Sequence, residues 1–172
     1  MMQNESKIKI EHAILFYKFS LGASDLVRFY DKGLPYYEAF SYLGHVVKRE
    51  DLELSREEEK KGAQILEFIG AYMMITQLRE VLKVEWGDGT IQGTDLVKKN
   101  IYQITRLIRN AFTHDPFKPV WDISPSAVNQ EFEISNIIKF RTHGLHGKRL
   151  DRSHYGGPLA LLKLAEYIQK NF

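Results

Sequence analysis

The chain has 172 residues, the length of one ordinary domain, and its 44% hydrophobic and 27% charged residues are typical of a folded globular protein. It contains no cysteine, which excludes disulfides, thiolate catalysis and cysteine-bound zinc. A formal net charge of +2 is too small to indicate nucleic-acid binding by itself. We therefore expect a single domain, residues 1–172, with a packed core.

The sequence shows no sign of a membrane segment. No apolar run approaches the roughly 20 residues that span a bilayer, and the opening MMQNESKIKIEH lacks the apolar block of a secretion signal. These features predict a cytoplasmic protein that does not enter a membrane.

The first part of the chain has a helical pattern. Apolar residues spaced by three and four predict a helix over residues 8–30, which Gly22 could kink or divide. A cation, a glycine and a proline within residues 32–35 form a stop signal. We predict a short helix after it, over about residues 36–48.

The middle of the chain predicts two longer helices. Ser55 and Glu58 have the spacing of a capping box, in which each side chain bonds a free amide at the helix start. The helix that they begin should continue to the glycine-rich turn at residues 87–93. Thr94 and Asp95 are suitable caps for the next helix, whose apolar face runs to RNAFTH.

The character of the sequence changes over residues 115–153. Three prolines break helices there, while VWDI and EFEISNIIKF are rich in strand-forming residues, so a small β-hairpin or an extended insertion is expected. Pro158 then suits the first turn of a final helix. The whole pattern predicts a mainly α protein, a bundle of four to five helices with this insertion before the last one.

The most distinctive segment is LIRNAFTHDPF, residues 107–117, at the polar end of an apolar helix. Arg109 presents a planar set of donors that matches two phosphate oxygens. His114 can accept and return a proton near neutral pH. Asn110 lies one turn before the histidine on the same side, so its amide could orient the imidazole. These residues suit phosphodiester chemistry, although arginine and histidine also stabilise helix ends without any catalysis.

Arg109, Asn110 and His114 in RNAFTH match the Rx4-6H signature, so the chain resembles the HEPN superfamily, and RNAFTHDPFxPxW resembles an uncharacterised bacterial subgroup of it. The resemblance implies a HEPN-like bundle and a metal-independent endoribonuclease without a cofactor, in which 2′-hydroxyl attack leaves a 2′,3′-cyclic phosphate. It assigns proton transfer to His114, stabilisation of the charged phosphorane to Arg109 and positioning to Asn110. It also implies a homodimer with the motif near the interface, and a toxin or defence effector that could have an antitoxin partner.

Two other functions stay open: a catalytically silent module that binds RNA, a nucleotide or a protein partner, and a bundle that serves only oligomerisation. The basic residues that could grip an RNA backbone are Lys118, Lys139, Arg141, Lys148 and Arg149. A metal cluster at His143, His146, Asp151 and His154 is the weaker reading of that segment, because such a spacing in a glycine-containing loop is more often solvated surface. We therefore predict no metal site.

Overall fold

The computed structural model describes residues 2–29, 34–87 and 94–171. Within them the chain is mainly helical, with four α-helices and two separate antiparallel hairpins. The elements are α1 (Met2–Phe29), β1 (Ala39–Tyr42), β2 (His45–Lys48), α2 (Arg56–Trp86), α3 (Leu96–Thr113), β3 (Glu131–Ile134), β4 (Ile138–Arg141) and α4 (Pro158–Asn171). The predicted fold class, a helical protein with a small β insertion before the last helix, is confirmed. None of the helices in these ranges has the length and hydropathy needed to cross a bilayer.

The first helix is continuous. It passes through Gly22 without a break, although a glycine inside a helix costs about 1 kcal/mol relative to alanine. Tyr17 and Val27 are buried on either side of the glycine, and their packing holds both halves on one axis. Residues 30–33 and 88–93, which contain most of the predicted stop signal and of the glycine-rich turn, lie outside the described ranges.

The predicted short helix over residues 36–48 is wrong, because this segment is a β-hairpin. Its strands are joined by the two-residue turn Leu43 and Gly44, which have φ of 48° and 82°. Positive φ at both central positions is the geometry that matches the twist of a tight hairpin. Strand-forming residues such as Phe40 and Val46 flank the turn, and this local preference outweighs the weak helical spacing.

The starts of α2, α3 and α4 agree with the predictions from the sequence, whereas α1 begins at Met2 and not near residue 8. The amide of Glu58 donates to the Ser55 hydroxyl at 3.3 Å, and the Ser55 amide donates to the Glu58 carboxylate at 2.8 Å, so the capping box is formed. Asp95 caps α3 by accepting a 3.0 Å hydrogen bond from the Lys98 amide. Pro158 begins α4.

The core lies between the helices and the insertion. α1 packs along α2 and α4, while α3 packs on α2 and β3. The predicted apolar face of α3 is buried, except for Val97, which is 44% exposed near its first turn. Its buried members are Ile101, Ile104, Leu107, Ile108, Ala111 and Phe112.

The insertion folds back onto the end of α3. The Val120 amide donates to the carbonyl of Ala111 at 3.0 Å, which ties the returning chain to the last turn of the helix. The next residue, Trp121, donates its amide to Lys148 at 2.9 Å, and Leu150 donates to Pro119 at 2.9 Å. Residues 119–121 and 148–150 therefore run side by side at this end of the bundle.

Candidate functional site

The RNAFTH motif occupies the C-terminal end of α3. Arg109 and Asn110 lie in its last two turns, and His114 is the C-cap residue with φ −84° and ψ −41°. Because an α-helix turns about 100° per residue, Asn110 and His114 lie on one side, whereas Arg109 and His114 are about 140° apart around the axis. The structure thus brings two of the three predicted residues onto one side and turns the third away from the histidine.

Arg109 lies at the contact between α3 and α2. On the helix it stands between Tyr102 and Phe112, which contact α2: the guanidinium of Arg79 is 3.6 Å from the Tyr102 ring, and the rings of Tyr72 and Phe112 are 5.6 Å apart. Arg109 is partly buried, and its Nε is enclosed without a hydrogen-bond partner. No carboxylate in the described ranges forms an ion pair with it.

His114 and Asn110 have no fixed partners. The imidazole is exposed, the amide is partly buried, and neither side chain forms a hydrogen bond to the described part of the chain. The next residue, Asp115, accepts hydrogen bonds from the amides of Phe117 and Lys118 at 2.9 and 3.2 Å. This closes a turn immediately after the motif and leaves the histidine ring open to solvent, where it can exchange protons.

Three of the five predicted RNA contacts lie near the motif. Lys118 follows it directly, and the side-by-side pairing of the returning chain brings Lys148 and Arg149 to the same end of α3. All three are exposed. The proximity of these three residues could not be predicted from the sequence, because about 30 residues separate Lys118 from the other two.

The remaining two predicted RNA contacts are in ion pairs on the β3–β4 hairpin. Lys139 is 2.7 Å from Glu131 and 3.0 Å from Glu133, and Arg141 pairs with Glu131. These pairs lower the pKa of Glu131, chiefly through its hydrogen bond with Lys139, and raise the pKa of Lys139, chiefly through the same bond. The two positive charges are largely offset by these carboxylates. Lys139 and Arg141 are therefore less suited to contact an RNA backbone.

The histidines of the insertion make local hydrogen bonds. His143 Nδ1 is 2.7 Å from the side-chain oxygen of Asn129, and His146 Nδ1 accepts from the Ile123 amide at 3.1 Å. His154 Nδ1 accepts from the indole of Trp121 at 2.8 Å. Over residues 2–29, 34–87 and 94–171, no three histidine or carboxylate side chains are placed to hold a metal ion.

Sequence reasoning missed a second partly buried arginine on α3. Arg106 lies one turn before Asn110, is half-buried, and donates to the Gln103 side chain at 3.0 Å and to Ser124 at 3.2 Å. Its burial, together with the nearby charge of Arg79, lowers its pKa. Arg106 precedes the motif residues by three and four positions, and this helical spacing could have identified it from the sequence. Arg106 and Arg109 concentrate positive charge on one side of α3.

Sequence reasoning also missed a buried carboxylate remote from the motif. Glu67 of α2 is 3% exposed and pairs with Arg28 of α1 at 2.7 Å and with Arg152, which lies in a short 3₁₀ helix before α4. Ser24 also donates to it at 3.3 Å. Glu67 therefore joins three segments of the fold.

The motif end of α3 therefore carries an exposed imidazole on one side and a partly buried arginine on another. Comparisons of the chain with protein-family models, with curated proteins and with solved structures find no match.

Proposed function

We propose that the protein is a metal-independent endoribonuclease of HEPN type, acting in the cytoplasm as a toxin or defence effector. The ribose 2′-oxygen attacks the adjacent phosphorus, the bond from phosphorus to the 5′-oxygen breaks, and a 2′,3′-cyclic phosphate remains. His114 transfers the proton between the 2′-hydroxyl and the leaving 5′-oxygen. Arg109 stabilises the charge on the phosphorane, and Asn110 positions the imidazole.

The observation that supports this most strongly is the environment of the Arg109 and His114 side chains at the end of α3. His114 is exposed without a hydrogen-bond partner in the described ranges, and the Arg109 Nε there is enclosed and unpaired. A structural arginine at such a site would normally bond a carboxylate or a carbonyl, because a buried polar atom without a partner destabilises the fold. The exposed cations Lys118, Lys148 and Arg149 provide a surface for the flanking phosphates.

The angle of about 140° between Arg109 and His114 favours a site built from two copies of the chain. In a homodimer with the two α3 ends facing one cleft, the arginine of one copy can hold a phosphate that the histidine of the other copy reaches. A two-fold arrangement places both pairs symmetrically. An antitoxin protein that covers the same cleft would then silence the enzyme.

The test is cleavage of RNA in the presence of EDTA. We expect the wild-type protein to cut total RNA and to leave 2′,3′-cyclic phosphate ends. His114→Ala should lower the rate by about 100- to 10,000-fold, and Arg109→Ala by about 100- to 1,000-fold. His143→Ala is the matched control, because that histidine is also exposed but already bonded to Asn129.

The alternative is a silent module that binds RNA, a nucleotide or a protein partner. The divergence of Arg109 and His114 within one chain favours this second candidate, since a binding site does not need the two groups to meet. Cleavage by neither the wild type nor the variants, with RNA binding that Arg109→Ala weakens, would select it. Equal cleavage by the wild type and His114→Ala would point to a contaminating nuclease and would refute the assigned role.

A further inference from the structure

The outer side of α1 carries a row of exposed apolar side chains. The row, called here the α1 stripe, runs along the helix at spacings of three, four and seven residues, and it lies opposite the core-facing side of the helix. Its members and their exposed fractions are Ile8 (44%), Leu15 (65%), Phe19 (67%), Leu26 (51%) and Phe29 (81%). The core-facing residues are Ile10, Ala13, Ile14, Tyr17 and Val27.

The area of the α1 stripe matches that of a protein interface. At about 200 Å² for each large apolar side chain, the exposed fractions amount to on the order of 600 Å². This is at the upper end of apolar patches on monomers and close to the roughly 800 Å² that each partner contributes to a stable complex. Ion pairs between Glu5 and Lys9 at 2.8 Å, and between Lys18 and Glu166 at 2.7 Å, give the stripe a polar border.

The α1 stripe is complementary to itself when two copies run antiparallel. Gly22 lies within it, and a side chain added there would meet open space, so the position is a shallow gap. Superposing the stripe on its antiparallel copy, with Ile8 opposite Phe29, sets Leu15 opposite that gap.

We propose that the α1 stripe is a self-association surface, where α1 packs antiparallel on α1 of a second copy about a two-fold axis near residues 18 and 19. Leu15 of each copy fills the gap at Gly22 of the other. Such an isologous contact uses the α1 stripe of both copies at once, and it is separate from the α3 contact proposed for the RNA site. The inference is independent of RNA cleavage, because α1 carries none of the motif residues.

The first experiment measures the mass of the full chain by sedimentation between about 1 and 200 µM. We expect reversible self-association through the α1 stripe, with a Kd that rises at least about 30-fold in Phe19→Glu and in Leu15→Glu, as for central apolar contacts of other interfaces. Both side chains are mostly exposed, so the fold should tolerate the change. Leu96→Glu is the matched control, since Leu96 is 66% exposed at the start of α3, and it should leave the dimer intact.

A glycine pair tests the gap. Gly22→Gln and Gly62→Gln both replace an exposed helical glycine that has open space around it with a better helix former, so neither should unfold the protein. Only Gly22→Gln should weaken the dimer, because the new side chain occupies the place of Leu15.

A crosslink tests the register. The chain has no cysteine, so Leu15→Cys with Gly22→Cys introduces the only thiols. Positions 15 and 22 are about 10 Å apart along one helix, too far for a disulfide within a copy. Oxidation should therefore give a covalent dimer in which mass spectrometry finds position 15 joined to position 22. Linkage of position 15 to position 15 would refute the antiparallel register.

The proposal is overturned if the wild type is a monomer at 200 µM, or if Phe19→Glu dimerises as well as the wild type. It is also overturned if the chain stays monomeric and binds phosphatidylserine vesicles in a way that Phe19→Glu abolishes, because the stripe would then serve a membrane surface.

Discussion

Replacing Glu67 by glutamine removes the charge at the centre of the buried ion cluster and keeps the shape of the side chain. The change leaves Arg28 and Arg152 facing a neutral amide. Breaking a buried pair by removing one partner costs about 3–5 kcal/mol. Because the two arginine side chains are 32% and 31% exposed, they can regain some water, and we expect the lower end of that range, about 3 kcal/mol.

The assay is urea unfolding followed by far-ultraviolet circular dichroism, with the slope m checked for constancy. A domain with ordinary stability stays folded after a loss of this size. Glu166→Gln is the control, because Glu166 pairs with Lys18 on the surface at 45% and 50% exposure, where a pair contributes at most about 1 kcal/mol. If the free energy of unfolding of Glu67→Gln lies within about 0.5 kcal/mol of the control, the assigned role of the buried cluster is refuted.

Ser55→Ala should lower the free energy of unfolding by about 1 kcal/mol by removing the cap of α2, and an unchanged urea midpoint would contradict this. Glu59 accepts a hydrogen bond from the Leu34 amide at 2.7 Å, which is the main cause of its lowered pKa. Its stabilising effect is therefore complete above the pKa of an unfolded glutamate, about 4.3, and is lost as the pH falls through the lower folded-state pKa. The stability difference between the wild type and Glu59→Gln should shrink from pH 7 to pH 3, and a constant difference would exclude this linkage. Lys148→Ala should reduce the salt dependence of RNA binding, whereas Lys139→Ala, already paired with carboxylates, should change it less; the reverse order in a filter-binding titration would contradict the site.

Local sequence signals predicted most helix boundaries. The capping box at Ser55 and Glu58, the cap at Asp95 and the proline at position 158 act within one turn, so neighbouring residues determine them. The β3–β4 hairpin was predicted for the same reason, since EFEISNIIKF is rich in strand-forming residues.

Competing local preferences explain the failures in the first part of the chain. In α1 the weak helix propensity of Gly22 is outweighed by the burial of Tyr17 and Val27, because α1 packs on α2 and α4, which are distant in the sequence. In residues 36–48 the turn at Leu43 and Gly44 was the informative feature, and the helical spacing was misleading.

The candidate site was only partly predictable. The positions of Arg109, Asn110 and His114 on α3 followed from the helical pattern, but the unpaired Arg109 Nε depends on the packing of α3 against α2. The basic residues after the motif looked alike in the sequence. The register of the β3–β4 hairpin pairs Lys139 with carboxylates, whereas the path of the insertion brings Lys148 back to the motif. Both placements depend on contacts that neighbouring residues in the sequence do not determine. The catalytic roles themselves remain predictions.

The return of the chain to the last turn of α3 has a consequence for how the insertion unfolds. The Val120 amide closes on the carbonyl of Ala111, and the Trp121 ring is enclosed between Phe140 and His154. Opening this segment would uncover the end of the helix that carries the motif. The amide proton of Val120 should therefore exchange with deuterium as slowly as the amide protons of the helical bundle, because the segment and the bundle form one cooperative unit.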